Sequence, residues 1–89
     1  MSKNLVKTYG EISYATKVLN VNIELLKNSL GNISTVTALE NISGLKCLID
    51  LLSESIDSSA DDLTSTQLDN VGFELDETAK RLSTIENSL

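Results

Sequence analysis

Asp50, Glu54, Asp57 and Asp61 recur at 4-3-4 spacing, which on a helix gathers four carboxylates into one stripe. Carboxylate oxygens are the ligands that hard cations such as Mg²⁺ take, and facing helical sets of them hold di-iron centres. Such centres need a second ligand-bearing helix or histidines opposite the first, and this chain contains no histidine. The plainer reading is a solvated acidic face that attracts Lys or Arg of a partner, with neither metal nor cofactor. Cys47, next to Lys46, is the one thiol of the chain. Covalent catalysis there would require a general base, normally His, and a site for an oxyanion. Neither is legible, so the expectation is a packed or surface thiol in a protein that is not an enzyme.

The remaining candidates are apolar. Leu5, Tyr9, Ile12, Thr16, Leu19, Ile23, Leu26, Leu30 and Ile33 repeat with unbroken 4-3 spacing, the seam of a helix that lies along another helix. The same stretch carries a second row, Tyr14, Val18, Val21 and Leu25, again at 4-3-4. In a three-helix bundle each helix touches two neighbours and both rows can be internal. Otherwise the second row is a protein-binding face, and in a two-helix hairpin it has no internal partner at all. Phe73 and Glu77, four apart on one helix face, are the other candidates for protein binding.

Elements must position these rows. Gly31-Asn32 tolerates left-handed geometry and predicts a stop, followed by the β-branched run Ile33, Thr35, Val36 and Thr37, so the first turn is placed within 31–37. Thr37-Ala38-Leu39-Glu40 has the form of a capping box, which starts a second helix with the apolar row Leu39, Ile42, Leu45, Ile49, Leu52 and Ile56. Gly44 within that row marks a close helix crossing or an alternative turn. Residues 57–66 hold three Asp and five Ser or Thr, good helix starters and poor helix interiors, with loose boxes at Ser58-Ser59-Ala60-Asp61 and Thr64-Ser65-Thr66-Gln67. The seam then resumes as Leu68, Val71, Leu75, Thr78, Leu82, Ile85 and Leu89. The fold class is all-α, a single domain over 1–89. It is an antiparallel bundle of three helices if 57–66 turns, or a two-helix hairpin with a kinked long second arm if it merely bends.

Composition narrows the function. The chain has 89 residues, no Pro or Trp, and 40% hydrophobic content drawn mostly from Leu, Ile and Val. A core of that size supplies only about 3–5 kcal/mol of net stability, so help from a partner is expected. One cysteine excludes an internal disulfide, and Cys47-Leu48-Ile49 is cut short by Asp50, so no segment reads as a membrane span. The opening Met1-Ser2-Lys3-Asn4 leads into the heptad pattern with no apolar block, which reads as cytoplasmic synthesis, with export that needs no cleaved signal peptide left open. The net charge of −6 divides unevenly: residues 1–46 carry five Lys against three acids, and residues 47–89 carry two basic against ten acidic residues. The acidic half repels phosphate, which argues against nucleic-acid binding.

Ile42-Ser43-Gly44 stands near the middle of the chain, and Phe73-Glu74-Leu75-Asp76-Glu77 has the form aromatic-x-x-x-acid. With the size, helical pattern and acidic balance, these motifs resemble the small Trp-X-Gly helical-hairpin proteins of type VII secretion. They are also similar to the helical targeting factors that accompany LXG-type toxins, which carry Phe in place of Tyr. Ile stands where that family has Trp. The resemblance implies a hairpin turned at the tripeptide and an export signal that includes Phe73 and Glu77. The expected function is a non-enzymatic helical binding partner, a targeting or chaperone-like factor packed beside a larger helical protein or in a homodimer. The alternative is an acidic, phage-type inhibitor that blocks a basic nucleic-acid-binding surface of another protein.

Overall fold

The structure, a computed structural model, describes residues 8–89. Leu5, the first position of the seam, and the opening Met1-Ser2-Lys3-Asn4 lie outside the described residues. Three helices follow one another: α1 (Tyr9–Ser29), α2 (Thr35–Ser58) and α3 (Ser65–Asn87). The chain therefore turns at 57–66, and the two-helix hairpin is not formed.

Each helix begins at a Ser or Thr in extended conformation whose hydroxyl accepts an otherwise unpaired backbone N–H. Thr8 accepts from Glu11, Ser34 from Thr37 and Thr64 from Gln67, each at 3.1 Å. In the first and third cases the bond is reciprocal, because Glu11 and Gln67 reach back to the cap's own N–H. A helix leaves four N–H groups without intrahelical partners, and a cap of this kind stabilises by about 1 kcal/mol. The start of α2 corrects the capping box read at Thr37. Ser34 is the cap, and Thr37 is the third helical residue, whose N–H and hydroxyl both meet the Ser34 hydroxyl. The β-branched run Thr35–Thr37 is consequently the first turn of α2 rather than a linker.

The two turns share one construction. A 3-10 turn over Leu30–Asn32 is followed by Ile33 in extended backbone and then the Ser34 cap; a 3-10 turn over Ala60–Asp62 is followed by extended Leu63 and then the Thr64 cap. No described residue has positive φ, so Gly31 does not supply the left-handed stop expected of it. Ser58-Ser59-Ala60-Asp61 starts no helix either: Ser59 closes α2, its N–H donating to Ser55 and Ile56 carbonyls. Ile42-Ser43-Gly44 lies inside α2, with Ile42 buried, so the turn implied by the resemblance is not there. Gly44 marks neither a turn nor a close crossing, since a Cβ added to it would meet nothing within 4 Å.

α1 and α3 run parallel, with α2 antiparallel between them in the chain. Along the α1–α3 groove residue numbers rise together, from Thr16 beside Phe73 and Glu74 to Lys27 beside Thr84 and Ile85. One cluster of the core joins Ile23 and Leu26 of α1 to Ile42 of α2 and to Leu82 and Ile85 of α3; a second joins Leu19, Leu52 and Leu75. Burying an Ile or Leu side chain fully contributes about 1.5–3 kcal/mol relative to exposure. The core takes one row from each helix. In α2 that row starts at Ala38, which is buried with Ile42, rather than at Leu39, which remains exposed.

Candidate protein-binding surfaces

On α1 the buried residues are Ile12, Thr16, Leu19, Ile23 and Leu26. That single row serves both neighbours, since an apolar stripe about 100° wide is enough to meet two helices packed side by side. The second row is therefore not internal. At 3.6 residues per turn it is centred roughly 150° around the helix from the buried row. Tyr14 is 71% exposed, Val18 40%, Val21 58% and Leu25 57%. Four exposed apolar side chains in line on one helix make a contiguous surface of the kind that marks an interaction site.

The row does not stand alone. Leu25 lines a groove between α1 and α2 together with Leu26, Ile33, Gly44, Leu45 and Leu48. Leu48 lines that groove, and Leu51, one turn further along α2, is exposed as well. Sequence reasoning had no reason to select them: they lie off the seam Ile42-Leu45-Ile49-Leu52, and the company of Leu48 on the surface comes from another helix. Gly44 leaves the groove open where a side chain would narrow it.

Phe73 and Glu77 belong to a different surface. Both line the groove between α1 and α3, with Thr16, Lys17, Glu74 and Arg81. Phe73 is exposed, whereas Glu77 is half-buried and accepts a hydrogen bond from Lys80 Nζ at 3.4 Å. Asp76 lies at the same distance from that ammonium. The hydrogen bond with Asp76, then the one with Glu77, raises the Lys80 pKa above its ordinary value. This groove is mixed in charge, and it buries Glu74 Oε1 and Asn20 Oδ1 without hydrogen-bond partners among the described residues. The fold thus separates the two sets of candidates: Leu25 of the α1 row lines the α1–α2 groove, whereas Phe73 and Glu77 line the groove between α1 and α3.

The acidic stripe is divided as well. Asp50 and Asp57 line the α2–α3 groove opposite Asp76. Asp61 falls beyond the end of α2, in the 3-10 turn, and so leaves the stripe. Among the described residues no three acidic or cysteine side chains come together in a way that could hold a metal ion. Cys47 is exposed on the outside of α2. Its neighbour Lys46 is turned to α3, where its ammonium meets Glu86 at 2.7 Å. Among the described residues no helix is long and apolar enough to cross a membrane.

No protein-family model matches the chain, and neither does any curated protein or solved structure.

Proposed function

We propose that this chain is a helical binding module that docks a larger helical protein through the outer face of α1 and the adjoining part of α2. The observation that carries the reading is the line Tyr14, Val18, Val21 and Leu25, apolar and exposed although the bundle already has its core. A domain of this size that leaves such a row in water has either a partner or a tendency to aggregate. The role that follows is non-enzymatic: holding a partner helix, as a targeting or chaperone-like factor does. The resemblance to type VII secretion proteins makes export of that partner the first setting to test.

Coexpression with the product of the adjacent gene, followed by size exclusion and light scattering, tests the reading. A stoichiometric heterocomplex that dissociates when Val21 and Leu25 are replaced by Gln supports it. A stable monomer that enters no complex removes it. The alternative, an acidic inhibitor of a basic nucleic-acid-binding surface, draws on the carboxylates Asp50, Asp57 and Asp76 along the α2–α3 groove. Salt separates the two, since an electrostatic inhibitor loses most of its affinity by about 0.5 M while an apolar contact does not.

A further inference from the structure

The distribution of charge around the bundle says what kind of helix the apolar face accepts. Among the described residues, Lys17, Lys27 and Arg81 line the α1–α3 groove, Lys46 is held to Glu86 of α3, and Lys80 lies beside Asp76 and Glu77 within α3. None of these cations lines the α1–α2 groove, and Lys17 stands one helical turn from both Tyr14 and Val21 of the outer row. The one charged residue that lines this groove is Glu40, beside Leu25 and Leu48, and Glu54 lies farther along α2. Neither has an ion pair among the described residues, and both are exposed.

Resting on the docking function proposed above, we infer that the occupant of the α1–α2 face is an amphipathic helix whose apolar ridge is flanked by Lys or Arg. The ridge lies between Leu25 and Leu48 over Leu26 and Leu45, and completes a four-helix arrangement. The cation on the α2 side of the ridge meets Glu40. A second copy of this chain is a poor occupant, because it brings the same Glu40 carboxylate to the groove that already carries it, and like charges placed together oppose association.

Two capped, hydrocarbon-stapled helical peptides test this, sharing one Leu/Ala ridge and differing only in Lys or Glu flanks. Cys47, the single cysteine, is exposed between Gly44 and Leu51 on the same helix and carries an environment-sensitive dye as the reporter. The Lys-flanked peptide binds at least tenfold tighter at low ionic strength, and the gap closes toward about 0.5 M salt. Glu40→Gln narrows the gap several-fold. Leu25→Gln with Leu48→Gln, checked for helicity by circular dichroism, abolishes binding of both peptides. Equal affinity for the two peptides overturns the charge preference while leaving the docking face intact. Binding that survives Leu25→Gln with Leu48→Gln overturns the placement on this face. If neither peptide binds, light scattering distinguishes the cases: self-association assigns the face to a second copy, and a persistent monomer removes the docking function with it.

Discussion

Ile23 and Leu25 stand two positions apart on α1, each in a 4-3 row of apolar residues, and they meet opposite environments. Ile23 is enclosed by Leu26, Ile42, Leu82 and Ile85, whereas Leu25 is 57% exposed at the edge of a groove. The pattern of residue types along the helix is nearly the same in both rows, so periodicity alone does not say which is core. What differs is the third dimension: α2 and α3 approach α1 on either side of one row, and the other is left over. An apolar row on a small helix is thus evidence of a contact but not of whose contact it is.

The largest expected effect breaks the inner row. Ile23→Ala removes a buried side chain from the centre of the first core cluster and leaves a cavity, at a cost of about 2–5 kcal/mol. For a domain whose net stability is of the order of 3–5 kcal/mol, that brings it to the edge of unfolding. Urea titration followed by circular dichroism reads the result directly. A loss below about 1 kcal/mol contradicts the assignment of Ile23 to the core.

Much of that inner row is legible in the spacing of residue types. Every described seam position of α1 from Ile12 to Leu26 is buried, and so are Val71, Leu75, Thr78, Leu82 and Ile85 on α3. Even the two polar members conform. Thr16 and Thr78 are buried because each hydroxyl donates to the carbonyl one turn earlier in its own helix, Ile12 and Glu74 respectively, at 2.9 and 2.8 Å. A threonine can hold a core position when its polar group is satisfied locally. The boundaries are less legible for a specific reason: Ser34, Thr35 and Thr37 are all competent caps by residue type. Only the extended backbone of Ser34 selects among them. The candidate face is half legible, as the α1 row shows in the spacing, but Leu48 joins Leu25 only through the packing of α2 against α1.

A smaller effect sharpens the comparison by testing how the rows are kept in phase. Thr64 fixes the start of α3, and through it which residues of that helix face inward. Thr64→Ala removes the hydroxyl that accepts the Gln67 N–H, and leaves the Gln67 side chain with only half of a reciprocal pair. The expected loss is about 1 kcal/mol, within a range of roughly 0.5–2. Because the seam itself is untouched, the dependence on denaturant should keep its slope while the midpoint falls. A changed slope would instead mean that α3 had slipped along its partners.

The smallest expected effect on stability belongs to the outer row, and it separates the two rows most cleanly. Val21→Gln and Leu25→Gln replace exposed apolar side chains with one that forms helices as readily as Leu and more readily than Val. Surface changes of this kind ordinarily move stability by no more than about 0.5 kcal/mol each. The double variant should therefore unfold at nearly the parent urea concentration while losing the helical partner and gaining solubility at high protein concentration. If it loses stability on the scale of Ile23→Ala, the outer row contributes to the fold of the isolated chain and is not held in reserve for another protein. Preserved stability with lost association gives the two rows distinct tasks on one helix, Ile23 holding the bundle together and Leu25 joining it to something else.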